Sequence, residues 1–360
     1  MPPDAAPLDP EKLKDYARNL FGHLGGAMTA TMVYLGDRLG LYHALAGAGP
    51  TTPAELAART GLHERWVREW TYQQGAAGVL VHRGGERFEL PPEGEMVLAR
   101  EDHPAFGAGF FSHLPQTLAV AERLPEAFRS GVGLPYDAFG PEGARGIERG
   151  IAPWFRALLV PFVLPRLPGM VERLRAGIEV ADVGCGAGVA LLEMAKAFPR
   201  SRFHGYDISK HALSRAAANL GEAGVTNASF HDAAADPLPE NGGFALVTCF
   251  DCLHDMAHPA GVARRIRRAL AEDGLWFVAD IKAHPTYAEN VARNPMAAMM
   301  YGTSVLACMS SALSEPGGLG LGTLGLHPGR LEEMANEAGF TRFETIDLGH
   351  PVNAFYLLRP

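Results

Sequence analysis

The chain is short of cysteine, of net positive charge and of strongly apolar runs, and each shortage removes a class of protein. Four cysteines among 360 residues are too few for a disulfide-held secreted scaffold and lead us to expect a reducing, cytoplasmic setting. Cys249 and Cys252 make a C-x-x-C pair, but a zinc site of that kind needs a second pair, so no metal is expected. A formal charge of −8 argues against nucleic acid as the partner, because phosphate binding draws on clustered Lys and Arg. The opening residues, Met-Pro-Pro-Asp-Ala-Ala-Pro, show neither the basic stretch nor the apolar core of a signal peptide and read as a frayed tail. Asn294 to Ser314 is free of charge, yet Asn294, Gly302, Thr303 and several serines dilute it, so a pocket cap is expected there and not a membrane span. What is present, 47% hydrophobic and 20% charged residues, suits a globular protein whose length implies two domains.

The most informative stretch is Val-Ala-Asp-Val-Gly-Cys-Gly-Ala-Gly, Val180 to Gly188, which reads as a strand, a glycine turn and a helix start. Glycine lets main chain come close to a ligand and take positive φ without strain, so Asp182, Gly184, Cys185, Gly186 and Gly188 become candidates for gripping a nucleoside-bearing cofactor. The spacing is G-x-G-x-G, one residue tighter than the dinucleotide fingerprint that cradles a pyrophosphate. Arg202 to Asp207 then reads as a second strand. Asp207 stands where a doubly wound fold places the carboxylate that holds a ribose, with Ile208 beside it for an adenine. Asn227 to Asp232 is a third strand, Phe244 to Phe250 a buried fourth, and Gly274 to Asp280 a fifth after a helix over Pro259 to Ala271. Arg342 to Leu348 and Asn353 to Leu358 read as a closing hairpin. Phe250, at the end of the fourth strand, joins the cofactor candidates. His254 follows that strand on the rim where open α/β sheets bind ligands, and histidine titrates near neutrality. Asp251 and Asp255 flank it, and each has a simple reading beside a cofactor or as a helix cap.

The first third differs. A helix ending near Ala46, a capped start at Thr51-Thr52-Pro53-Ala54-Glu55, a second helix from His63 to Gln74, and Val79-Leu80-Val81 with an Arg83–Glu86 turn before Phe88 form a winged-helix pattern. Glu64 and Glu69 offset Arg65 and Arg68 on the would-be reading helix, so dimerisation is expected here in place of DNA binding. Between the halves, Phe111, Tyr136 and Trp154 lie in an aromatic-rich region that could wall an acceptor pocket; Met300 belongs to the pliable cap. Glu315 to Gly325 reads as a mobile flap or a plain linker.

These features together resemble small-molecule methyltransferases that join an N-terminal winged helix to a class I catalytic domain. The nearest resemblance is to a bacterial, largely actinobacterial group, through Gly133-Leu134-Pro135-Tyr136, Val180 to Gly188, and Cys252-Leu253-His254-Asp255-Met256. The resemblance implies a Rossmann-like α/β fold with a seven-stranded sheet and a mainly helical winged-helix domain. It divides the chain into a tail and first helix (1–24), a winged-helix dimerisation domain (25–104), a helical segment (105–168) and a catalytic domain (169–360) with a substrate cap at 282–326. It implies S-adenosylmethionine as methyl donor, a small, mainly apolar or aromatic acceptor, a homodimer, and no membrane. In the related O-methyltransferases the catalytic histidine lies in a Leu-His-Asp-Trp setting, which carries over to Leu253-His254-Asp255-Met256 with Met for Trp. An acidic residue at the end of the fifth strand orients it, here Asp280, where plant members have the longer Glu. The end of the third strand, Asp232-Ala233, is where such enzymes reach the adenine amino group. Three other readings stay open: a cofactor-sensing transcriptional regulator, N- or C-methylation by proximity alone, and a nicotinamide-dependent oxidoreductase.

Overall fold

The computed structural model describes residues 8–360, and the expected tail over the first seven residues lies outside them. Two compact units divide the chain, the first ending at Leu114 and the second running from Pro115 to Pro360.

In the first unit, α1 (Pro10–Arg38) begins where the Asp9 carboxylate accepts the Glu11 and Lys12 N–H groups. It continues unbroken past residue 25. Helices α2 (Leu41–Leu45), α3 (Pro53–Thr60) and α4 (Glu64–Ala76) follow. Thr52 and Glu55 cap α3 reciprocally, satisfying N–H groups that a helix start otherwise leaves unpaired. Two short strands, Val81–His82 and Phe88–Glu89, form the wing, and Thr51 bridges to Phe88. Tyr42, Leu45, Leu56, Val67, Trp70 and Phe88 fill the core. On α4, Arg65 pairs with Glu69 while Arg68 pairs with Glu64 and Glu86, so its basic groups are already answered by acids of this unit.

The second unit is built on seven strands: β1 (Glu179–Val183), β2 (Arg202–Asp207), β3 (Ala228–Asp232), β4 (Phe244–Phe250), β5 (Leu270–Ile281), β6 (Arg342–Ile346) and β7 (Asn353–Arg359). Their spatial order is β3-β2-β1-β4-β5-β7-β6, with β1 to β5 parallel and β7 antiparallel to both neighbours. The order reverses between β1 and β4, and at such a switch point the carboxyl ends leave an open crevice. β5 begins four residues earlier than its sequence suggests, because Leu270 already pairs with Phe244 ahead of a register shift. Apolar layers cover both faces, one with Leu191, Phe203, Phe277 and Phe355, the other with Val247, Ile266, Trp276 and Tyr356. Among the described residues no single helix is long and apolar enough to cross a membrane. The uncharged segment breaks into Ala297–Thr303, a wider π-type turn at Ser304–Cys308, and Met309–Ala312.

Gly205 shows how tightly the crevice is supported from below. A Cβ added there would lie 2.6 Å from the Phe230 ring and 2.8 Å from Cys185 Sγ. Gly205→Ala is expected to destabilise the protein by about 1–3 kcal/mol, the usual range for overpacking. Urea unfolding measures it, and an unchanged midpoint would show that β2 has more room than these distances allow.

Candidate active site

The crevice floor is the glycine turn after β1. Gly184, Gly186 and Gly188 all have positive φ, at 74°, 54° and 76°. A side chain at Gly184 would strike Cys252, and one at Gly188 would enter the Phe230 ring. The Gly184 and Cys185 N–H groups donate to Tyr206 O. The Gly186 N–H donates to Asp207 Oδ2 and the Ser209 N–H to Asp207 Oδ1, each at 2.8 Å. Ala233 N–H donates to the Asp207 carbonyl at 2.9 Å, which joins the ends of β2 and β3. Burial raises the Asp207 carboxyl above its usual range, against the pull of these N–H donors. Ile208 is 61% exposed beside it, and Asp232 at the end of β3 accepts the Ala234 N–H at 3.0 Å. Asp182 is buried under the turn and takes a 2.6 Å hydrogen bond from Thr248 Oγ1. Its carboxyl is pushed up to about 7 by burial, with Asp207 adding to the effect. Cys185 is likewise raised by burial and by these two carboxylates.

Across the crevice, His254 lies in the short turn Leu253–Asp255 after β4. Its Nδ1 is 2.6 Å from Asp280 Oδ1, near the end of β5, and both side chains are buried. The Ile281 N–H also donates to Asp280 Oδ1, at 2.7 Å, while Asp280 Oδ2 is buried with no hydrogen-bond partner among the described residues. Burial alone would lower the His254 pKa, but the adjoining Asp280 carboxylate outweighs it and the net shift is well upward. Asp251 and Asp255 are both pushed up to about 7, chiefly by burial.

Asp251 has a feature no sequence pattern announces. With φ of 49° it is the sole non-glycine in the left-handed region among the described residues, a costly conformation that persists only where surroundings hold it. Its N–H donates to Ala279 O at 2.8 Å and its carboxylate accepts from Asn353 Nδ2 of β7. Tyr136 enters the same neighbourhood. Its phenol is raised well above the usual value by burial, then by Asp255, Cys308 and Asp207. The loop is pinned through Asp137, which accepts from Ser209 Oγ at 2.5 Å and from the Lys210 N–H at 3.2 Å. Asp137, Asn353 and Cys308 were not singled out from sequence, since nothing in their local pattern separates them from ordinary loop, strand and helix residues.

Three expected wall residues and one expected cofactor residue, Phe250, lie elsewhere. Trp154 stacks on Phe355 and meets Phe155 and His350 edge-on. Strand alternation sends Phe277 and Ala279 to that face of the sheet and Asp280 to the other, so Trp154 is core packing. Phe250 is turned to the same face as Trp154, edge-on to Phe155 and Phe277. Met300 is buried in a small separate cluster with Ala283, Ala297 and Leu324. Phe111 belongs to the first unit and packs half-buried against its core. The glycine-rich stretch after Glu315 is anchored, not loose: Leu319 N–H donates to Ala257 O and Thr323 N–H to Ser304 Oγ.

Comparison with known proteins agrees with this geometry. A methyltransferase-domain family matches residues 174–339, and a family described as an Rv2258c-like winged HTH domain matches residues 27–100. A ubiquinone biosynthesis O-methyltransferase of Ralstonia nicotianae is 36% identical over 108 residues, which span 29% of this chain and 44% of that protein. In fold, the chain is similar to an O-methyltransferase family protein from Burkholderia thailandensis (TM-score 0.68, 15% identity, 95% of this chain and 97% of the other). It is also similar to human N-acetylserotonin methyltransferase in complex with S-adenosylmethionine (TM-score 0.67, 18% identity, 99% of each chain). Residues 174–339 thus form a methyltransferase domain, with a winged-helix domain ahead of it in the chain.

Proposed function

We propose that this protein transfers the methyl group of S-adenosylmethionine to a hydroxyl of a small, mainly apolar or aromatic acceptor, with His254 as the general base and Asp280 as its orienter. The observation that carries the reading is the buried 2.6 Å His254–Asp280 pair on the same crevice rim as the Asp207 carboxylate. Such a pair fixes the imidazole with Nε2 as the working nitrogen and strengthens it as a base.

The donor set suits a sulfonium nucleoside. Asp182, Asp207, Asp251, Asp255 and Asp280 act electrostatically on one another across the crevice, a field that favours a cation and opposes a pyrophosphate. Asp207 would take the ribose hydroxyls, Ile208 and Ala233 the adenine faces, and Asp232 the adenine amino group. The turn from Gly184 to Gly188, with Cys185 and with Asp182 beneath it, would take the methionyl part. When bound, the donor supplies an electrophilic methyl carbon. The residues of the chain then have to align an acceptor oxygen, remove its proton at His254 Nε2 and keep water out; Tyr136 stands in the loop that covers this space. Alignment contributes the larger share of acceleration, up to about 7–11 kcal/mol, and a positioned base typically adds ~10²–10⁴-fold.

We also read the protein as a homodimer joined through α1. Leu13, Tyr16, Leu20, Phe21, Leu24 and Met28 are all more than half exposed along that helix, a contiguous apolar stripe of the kind that marks an interface. Leu20→Asp with Leu24→Asp is expected to convert the species seen by light scattering from dimer to monomer; a wild-type monomer at micromolar concentration would end this reading.

For the site, calorimetry is expected to show S-adenosylhomocysteine binding and NAD not binding, with Asp207→Ala weakening the former at least tenfold, since a ribose-holding carboxylate is lost. Tighter binding of NAD would overturn the assignment. His254→Ala is expected to lower kcat on a phenolic acceptor by ~10²–10⁴-fold with cofactor affinity nearly unchanged; equal turnover would remove histidine from the mechanism.

A further inference from the structure

We propose that His254, Asp255 and Cys308 form a site for one divalent ion of the zinc class, and that its occupation silences His254 as a base. The second half rests on the function proposed above; the first does not.

The three residues come from two distant parts of the chain. His254 and Asp255 lie in the turn after β4, and Cys308 ends the π-type turn Ser304–Cys308. One nitrogen, one sulfur and one carboxylate oxygen fall within 4.8 Å of one another, with His254 and Cys308 buried. A mixed N, S and O set suits zinc and its neighbours. Magnesium and calcium require mainly oxygen ligands. Three protein ligands with a fourth position open is the pattern of a zinc that still exchanges water.

An independent observation concerns Asp280. Its Oδ1 occupies His254 Nδ1 at 2.6 Å, which leaves Nε2 as the ring nitrogen able to ligate, and Cys308 already hydrogen-bonds to the His254 side chain. A carboxylate behind a histidine is how metal-binding imidazoles are commonly held. The other oxygen, Asp280 Oδ2, is buried and has no hydrogen-bond partner among the described residues. On binding, the Cys308 thiol and the His254 ring each release a proton to solvent; Cys308 then ligates as thiolate, Asp255 as carboxylate and neutral His254 through its Nε2 lone pair. That lone pair is the one a general base needs. Ion and acceptor proton therefore compete for a single nitrogen, and a chelator restores activity.

The test uses the full chain, freed of metal by chelator and titrated with Co²⁺ as a spectroscopic stand-in. One equivalent is expected to produce a thiolate-to-cobalt charge-transfer band together with the intense visible bands of four-coordination, both erased by Zn²⁺. Cys308→Ser is expected to lose the charge-transfer band. Asp280→Asn is expected to weaken Zn²⁺ binding roughly 10- to 100-fold, the usual effect of losing a partner behind a ligating histidine. No charge-transfer band in folded wild-type protein, or an unchanged band in Cys308→Ser, overturns the site. In turnover assays Zn²⁺ is expected to inhibit wild type, with Cys308→Ser needing more than tenfold higher Zn²⁺ for the same inhibition. A band without inhibition upholds the ion site and overturns His254 as the base. Absence of the band with normal loss of activity in His254→Ala does the reverse.

Discussion

Carboxyl groups held wholly or partly out of water are the constraint around which the catalytic unit is arranged. Taking a carboxylate out of water is costly unless hydrogen bonds or opposite charge answer it, yet Asp182, Asp207, Asp251, Asp255 and Asp280 collect at the carboxyl edge of one sheet. Each is answered only in part. Asp207 has two backbone N–H groups, Asp182 has Thr248, Asp251 has Asn353, and Asp280 has His254 and one N–H. The rise of three of these carboxyls to about 7 is the mark of that incomplete compensation. A cationic ligand bound at this edge would supply the positive charge that the protein withholds.

Much of this was readable from the amino acids because the features are local. The G-x-G-x-G turn, the acid ending β2 and the apolar run of β4 each fit within ten residues, and the observed β2 and β4 match the expected spans residue for residue. The winged helix was legible for the same reason, through the Thr52–Glu55 cap and the glycine-marked wing turn. Asp280 followed from a resemblance, and its short side chain still reaches His254, so the missing methylene of Glu did not open a gap.

What stayed hidden depends on long-range packing. Trp154 looked like a pocket wall because aromatic density was high around it; only the alternation of β5 and β7 reveals that it faces the opposite side of the sheet. Met300 was assigned by composition, but a methionine on a helix goes wherever a neighbouring element leaves room, here against Leu324. Cys308 had no motif at all. The wider turn that carries it to His254 arises inside an uncharged helical stretch without a proline to announce it, and such π-type turns gather at functional positions.

The left-handed backbone at Asp251 ties two distant parts of the chain together. Its partner Asn353 opens β7, which slots between β5 and β6, so the turn beside His254 is held by the last strand of the chain. The rim of the crevice beside His254 is thus completed by a strand that begins 102 residues beyond Asp251.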